Sequence, residues 1–152
     1  MTWAIENEPE TALRLAGALG PFWSKRSHWI EGRSWLERAL QSGALAGTGD
    51  RAIALGRAGV IASDQGHYEE AQRYFEESLA IAEPLEDAGT AARALRGLGI
   101  LASNRSDFAL ATTLFEQALS RFRTRACLQI PFPAHQWTGF AEFLVLNTPT
   151  VP

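Results

Sequence analysis

Polar and apolar positions follow a helical period in the stretch QGHYEEAQRYFEESLAIAEPL, residues 65–85. A short polar turn is followed by an aromatic residue, an acidic first turn and apolar residues spaced three and four apart, which is the pattern of an amphipathic helix. Glu69 and Glu70 fall in the opening turn, where negative charge stabilises the helix dipole, and we expect both carboxylates to face solvent.

Two other stretches repeat this pattern: SHWIEGRSWLERALQ from Ser27 and SDFALATTLFEQALS from Ser106. Their aromatic residues align with Tyr68 at separations of 39 and 40 residues, and each is preceded nine residues earlier by a glycine. The aligned columns are Trp29/Tyr68/Phe108, Gly32/Ala71/Ala111, Leu36/Phe75/Phe115, Ala39/Ser78/Ala118 and Gly20/Gly59/Gly99. Repetition at a fixed period indicates a scaffold of stacked repeats and not an enclosed catalytic pocket.

Each copy contains two helical segments, so the sequence predicts six helices, near 10–25, 28–42, 50–64, 67–83, 89–103 and 107–123. They pair into three hairpins at 10–42, 50–83 and 89–123, within a repeat region that spans residues 1–123. Gly66 and Pro84 are expected to end helices. Short polar side chains suit the N-cap positions, at Asp50, at Asp87 or Thr90, and at Asp107. Serine replaces glycine in the other two tight turns, at Ser27 and Ser106, so we expect these turns to be slightly strained or differently shaped.

The small residues in two of the columns predict close packing of the helices within each hairpin. A glycine inside a helix costs about 1 kcal/mol relative to alanine, and close approach of a neighbouring helix is the expected compensation. The large residues Leu36, Phe75 and Phe115 are then predicted to fill the space between one hairpin and the next.

At this point the chain resembles the tetratricopeptide repeat, whose signature runs Gly-x2-aromatic, Ala-x3-Phe and then a small residue and a proline. The matching residues are Gly20-x2-Trp23, Ala71-x3-Phe75, Ala111-x3-Phe115, Ala118 and Pro84. Departures are Ala62 and Ala102 in place of the aromatic residue, Gly32 in place of alanine, and the longer period. The resemblance implies an all-α fold, a right-handed α-solenoid of antiparallel helical hairpins. An array of the HEAT or armadillo type shares the period of about 40 residues and is the alternative.

The longer period resembles the tetratricopeptide region of MalT-like bacterial regulators, which join a signalling ATPase to such repeats. The similarity is clearest in LRLAGALGPFW and EGRSWLERAL. It implies a protein-interaction scaffold, the sensor segment or a fragment of an ATPase transcriptional regulator. A free-standing adaptor that binds a peptide is one alternative. A small-ligand receptor that uses Trp23, Trp29 and Trp35 is another, although these residues are first expected in the core.

In such arrays the first helix of each hairpin lines a concave groove that receives the partner. The resemblance therefore places twelve residues in the groove, and we take seven of them as candidate binding residues: Arg14, Lys25, Ile53, Asp64, Arg93, Arg96 and Asn104, with Ser24, Val60, Ser63, Ile100 and Ser103 beside them. Because four of the seven are basic, an extended protein segment of acidic character is the expected partner.

Charge and motifs exclude several other functions. The formal net charge of −3 argues against direct binding to nucleic acid or to an anionic membrane. A basic leader and an apolar run long enough for a membrane span are both missing, so a cytoplasmic location is expected. The sequence contains neither a phosphate-binding loop nor a His-Glu-x2-His zinc motif, and Cys127 is the only cysteine. We expect a non-enzymatic module without cofactor or metal.

The last part of the chain differs in composition from the repeats. Residues 124–152 hold four of the seven prolines and little charge. They are interpreted either as a degenerate fourth-repeat helix or as a poorly ordered apolar tail. In both cases a polar capping helix is missing, and the sequence predicts an exposed apolar face at the C-terminal end that supports self-association.

Overall fold

The computed structural model of the protein describes residues 7–25, 28–41 and 46–126, with 24–25 and 124–126 described by their backbone alone. Within these ranges the chain forms six helices and no strand: α1 Pro9–Lys25, α2 Trp29–Gln41, α3 Gly49–Asp64, α4 Tyr68–Ala82, α5 Ala88–Asn104 and α6 Phe108–Ala126. The predicted all-α fold is confirmed, and every predicted helix is present. The proposed fourth repeat and Cys127 lie outside the described residues.

The helices stack as three consecutive hairpins, α1–α2, α3–α4 and α5–α6. Each helix contacts the next one along the chain, and each first helix also contacts the following first helix, α1 with α3 and α3 with α5. This arrangement is a helical solenoid, in which a hairpin packs only on its neighbours. The helices α1, α3 and α5 consequently lie side by side and form a continuous surface, here called the first-helix row.

Helix starts follow the capping chemistry that short polar side chains provide, with one correction. The N-cap of α3 is Thr48, whose side chain accepts a hydrogen bond from the amide of Arg51 at 3.5 Å. The prediction of Asp50 was wrong because the helix starts earlier, so that Asp50 lies in its first turn. The N-cap of α5 is Asp87, whose Oδ1 accepts from the amides of Gly89 and Thr90, both at 3.1 Å.

Asp107 was also predicted as an N-cap, and its Oδ1 accepts from the amide of Leu110 at 3.1 Å.

The tight turns inside the second and third hairpins are equivalent, and both require a left-handed residue. Gly66 has φ +81° in the first of these turns, and Ser106 has φ +63° in the other. Because a side chain disfavours this conformation, the expected strain at Ser106 is confirmed. Ser27 lies outside the described residues.

Phe75 occupies the centre of the stack and touches two hairpins at once. Its side chain is 3% exposed. A Cβ atom placed on Gly59 of its own hairpin would lie 2.7 Å from the ring, and one placed on Gly97 of the next hairpin would lie 2.5 Å from it. Both glycines are therefore required by the close approach of the ring. The prediction that Phe75 fills the space between hairpins is confirmed.

In the first hairpin, the two helices approach each other closely through a different pair of residues, Trp23 and Gly32. Trp23 is 4% exposed, and a Cβ atom placed on Gly32 would lie 2.6 Å from its Cγ. At the equivalent positions the second hairpin pairs Ala62 with Ala71, both buried. A large residue opposite glycine thus replaces two alanines, which explains why Gly32 departs from the repeat pattern.

Candidate functional site

Three arginines on the first-helix row influence one another electrostatically: Arg57 on α3, and Arg93 and Arg96 on α5. Burial lowers the pKa of the Arg57 guanidinium, and the positive charges of Arg93 and Arg96 lower it further. Burial also lowers the pKa of Arg96, with Arg93 as the second cause. Arginine remains protonated in spite of such shifts, so the row carries concentrated positive charge that water screens only partly. We call these three residues the arginine cluster.

Other arginines of the molecule are in the opposite situation. The hydrogen bond that Arg14 donates to Asp50 raises the pKa of Arg14, and the one that Arg33 donates to Glu37 raises the pKa of Arg33. Arg14 and Arg33 are held by carboxylates of the chain itself and stabilise contacts between helices. For Arg57 and Arg96, burial and, to a smaller extent, neighbouring positive charge disfavour the cation, which is an environment that an added anion would relieve.

Arg57 is positioned by a glycine of the preceding hairpin. A Cβ atom placed on Gly20 would lie 2.6 Å from Cγ and 2.7 Å from Cδ of Arg57. The aliphatic part of the side chain therefore lies directly on the backbone of α1, and the guanidinium extends beyond it. Because Gly20 has no side chain, the side chain of Arg57 can lie against α1. Gly20, a member of the repeated glycine column, therefore has a local role in positioning Arg57.

Arg57 was not among the residues that the sequence predicted for the groove. A signal for it exists, because Arg57 is the one charged residue in the otherwise apolar segment AIALGRAGVIA, residues 52–62. Arg57 lies one position after Gly56, which aligns with Gly17 and Arg96 in the other two copies. A comparison of aligned positions therefore does not pair Arg57 with Arg96. Only the packing of α1, α3 and α5 brings it near Arg93 and Arg96.

Of the seven predicted groove residues, the structure brings Arg93 and Arg96 together in the cluster. Arg14 forms an ion pair with Asp50 of α3 at 2.7 Å, and its side chain is exposed. Ile53 is half-buried at the contact with α1, where its Cγ2 lies 3.4 Å from a Cβ atom placed on Gly17. These two residues join the first and second hairpins.

The remaining three predicted groove residues lie at the C-terminal ends of the first helices. Asp64 ends α3 and Asn104 ends α5, and both are exposed. Although Asp64 is exposed as a whole residue, desolvation by the surrounding atoms raises the pKa of its carboxyl group. The side chain of Lys25 lies outside the described part of the chain.

A second polar site lies on the other side of the molecule, between α2 and α4. Arg33 donates to Glu37 at 2.6 Å and to Glu70 at 2.7 Å, and it contacts Nδ1 of His67. Glu70, expected to be solvated, is only 24% exposed, because it receives this hydrogen bond from the neighbouring hairpin. Burial, followed by Glu70 and Glu37, raises the pKa of Tyr74 to about 12. Its hydroxyl therefore stays protonated, and the network acts as a joint between hairpins.

Metal binding and membrane insertion find no support in the described parts of the chain. Within residues 7–25, 28–41 and 46–126, His, Cys, Asp and Glu side chains do not assemble into a group of three that could hold a metal ion. None of the helices described combines the length and apolar character that crossing a membrane requires.

Comparison with known proteins identifies the repeat. A family profile described as tetratricopeptide repeat matches residues 11–83 and, in an overlapping second match, residues 50–124. The two matches together extend from residue 11 in α1 to residue 124 in α6 and so include most of each of the six helices. A comparison with curated proteins found no relative.

Proposed function

Because the chain belongs to the tetratricopeptide repeat family, whose members act as protein-interaction scaffolds, we propose that its first-helix row binds an extended acidic segment of a partner protein. The arginine cluster is the observation that carries this proposal. Glutamate and aspartate side chains fit guanidinium groups in paired hydrogen bonds, and such bonds are stronger than neutral ones. An acidic segment would also reduce the mutual repulsion of Arg57, Arg93 and Arg96.

The binding mode is that of a peptide laid along a row of helices, with no chemical step. Arg96 and Arg57 are partly withdrawn from water, so fewer water molecules must be displaced before a carboxylate binds them. Arg93 is exposed and would attract the segment over a longer distance. Affinity is therefore expected to fall as salt concentration rises.

The test is fluorescence anisotropy with a labelled synthetic peptide that alternates glutamate and leucine, compared with a peptide in which glutamine replaces glutamate. The Glu peptide should bind and the Gln peptide should not. Arg57→Gln and Arg96→Gln should each weaken binding by roughly tenfold or more, since a hydrogen bond to a charged group contributes about 1.5–3 kcal/mol. Arg73→Gln, an exposed position on α4, is the matched control. Equal affinity for the two peptides would contradict the proposal.

We further propose that this scaffold works in the cytoplasm as the sensor segment, or a fragment, of a bacterial signalling ATPase that regulates transcription. The support is the resemblance of LRLAGALGPFW and EGRSWLERAL, residues 13–23 and 31–40, to the first repeats of MalT-like regulators. In that setting the acidic segment would belong to the regulator or its inducer. A free-standing adaptor would use the same row for a peptide of an unrelated protein. Co-purification from cells that express the chain with its genomic neighbours separates the two, since only an adaptor recovers a stoichiometric unrelated partner.

A small-ligand receptor built on the tryptophans of the first hairpin has less support. Trp23 is buried, and Trp29 and Trp35 pack against the same hydrophobic cluster. The guanidinium carbon of Arg38 lies 5.0 Å from the ring centre of Trp35, over the face that remains. These rings are used in packing, as the core interpretation predicts, so they are poorly placed to receive a ligand.

A further inference from the structure

An apolar stripe runs along the outer side of α1. Leu15, Leu19 and Phe22 follow one another at helical spacing and are 43%, 38% and 51% exposed. Because residues four and three apart lie on one side of a helix, the three side chains form one surface. We call it the front face.

The equivalent positions of the other first helices are buried. They are Ala54, Ala58 and Ile61 in α3, which are 0%, 5% and 0% exposed, and Ala94, Leu98 and Leu101 in α5, of which the first and last are 1% and 2% exposed and Leu98 is half-buried. The α3 residues cluster with Leu36, Ala39 and Leu40 of α2. Leu98 and Leu101 cluster with Phe75 and Tyr74 of α4. In this fold the stripe is thus the side by which a first helix packs on the preceding hairpin.

The complementary half of such a junction is uncovered on α6. Leu40, Leu79 and Leu119 occupy equivalent positions. Leu40 in α2 is 8% exposed, Leu79 in α4 is half-buried, and Leu119 in α6 is 37% exposed. Phe115 is half-buried, whereas its equivalents Leu36 and Phe75 are 0% and 3% exposed. Leu119 and Phe115 form what we call the rear face. In both columns, the residue of α6 is therefore more exposed than its equivalents in α2 and α4, which a following first helix covers.

Charged residues border the two faces with opposite signs. Glu8 and Glu10 are exposed at the start of α1. Arg123 is exposed near the end of α6, whereas Arg121, also exposed there, already forms an ion pair with Glu83 of its own chain at 3.0 Å. At the internal junction of α2 with α3, Arg51 in the first turn of α3 donates to the carbonyl of Leu40 at 3.0 Å. The start of a first helix therefore lies beside the end of the preceding second helix. A junction of the same form between two molecules would bring the glutamates near Arg123.

We propose that the chain associates end to end with further copies of itself, the front face of one molecule packing on the rear face of the next. The contact would repeat the junction that α3 and α5 already make inside the molecule. Both halves of the junction are present on one chain, with matching apolar columns and complementary charges. Since the two faces differ, the contact is heterologous and leaves one free face at each end, so assembly continues past the dimer.

This surface is separate from the arginine cluster, and the residues that form it belong to α1 and α6. The peptide-binding test and the association test therefore fail or succeed independently. Loss of peptide binding in the Arg57 and Arg96 variants leaves both faces intact, and a change in either face leaves the cluster intact.

Sedimentation velocity of the full chain over a range of concentrations tests the proposal. The wild-type mass should rise continuously with concentration and exceed that of a dimer. Leu19→Glu should block the front face and Leu119→Glu the rear face, so each variant alone should remain monomeric. An equimolar mixture of the two variants retains one intact face of each kind and should form a dimer that grows no further. Leu85→Glu, at an exposed leucine outside both faces, is the matched control and should behave as wild type.

Three results would overturn the proposal: a wild-type chain that stays monomeric at every concentration, a variant that associates as wild type does, or a mixture that stays monomeric. A monomeric wild type would assign the front face to a different occupant, such as a preceding hairpin of a longer protein. Circular dichroism checks that each variant keeps its helical content. If Leu19→Glu does not, Leu15→Glu one turn earlier on the same stripe takes its place in all arms.

Discussion

Phe75 in the second hairpin and Phe115 in the third occupy the same column of the repeat, yet they are packed differently. Phe75 touches the positions of Gly59 in its own hairpin and Gly97 in the next, and it is buried. Phe115 touches the position of Gly99 in its own hairpin, where a Cβ atom would lie 2.8 Å from the ring, and it stays half-buried. The comparison teaches that a column of a solenoid is fully stabilising only where a following hairpin covers it.

The largest expected effect separates these two residues directly. Phe75→Ala should lower the free energy of unfolding by about 3–5 kcal/mol, because it removes a ring enclosed by two hairpins. Phe115→Ala should cost roughly half as much, since part of its ring is already exposed to water. Urea unfolding followed by circular dichroism measures both.

Glu77→Ala provides the control for this pair, because Glu77 is exposed and its ion pair with Arg51 is 3.4 Å long. Its cost should be under about 0.5 kcal/mol. Similar losses for the two phenylalanine variants would show that the following hairpin contributes little to the burial of Phe75, and the comparison would then fail.

An intermediate effect is expected where the first hairpin departs from the other two. Gly32→Ala should destabilise by about 1–3 kcal/mol, because the new methyl group overlaps the ring of Trp23. Adding Trp23→Ala recreates the Ala/Ala pair of the second hairpin and should relieve that overlap. The double variant should therefore be more stable than the sum of the single losses predicts.

A double-mutant cycle in urea measures this coupling. Ala71→Gly in the second hairpin is the matched control and should cost about 1–2 kcal/mol, through lower helix propensity and the loss of a buried methyl group. Additive losses at Trp23 and Gly32 would mean that the two residues do not depend on each other, contrary to the packing described.

The smallest effect concerns the turns of the second and third hairpins. Ser106→Gly should stabilise the protein by roughly 0.5–1 kcal/mol, because glycine adopts the positive φ of this turn without steric cost. Gly66→Ser should destabilise it by a similar amount, and thermal unfolding of the two variants tests the sign. A loss of stability in Ser106→Gly would indicate that the serine side chain contributes more to this turn than its backbone conformation costs.

Local chemistry explains why the sequence predicts the helices and turns well. The apolar period, the glycine column, Gly66 and the cap at Asp87 act within a few residues of one another, so their effect is readable without the fold. Asp50 shows the limit of such reasoning, because Thr48 two residues earlier meets the same chemical requirement. The all-α class and the interaction scaffold of the tetratricopeptide family follow from the repeat itself.

The sequence by itself predicted the six helices of the described residues, their succession in pairs and the positions where helices approach closely. Only the tertiary structure decided which side chains meet across hairpins. It combined Arg57 with Arg93 and Arg96, held Arg14 in an ion pair with Asp50, and left Leu15 and Leu19 of the repeat pattern exposed. The physical reason is that periodicity reports which side of a helix is apolar, whereas burial and charge depend on the neighbour that is present.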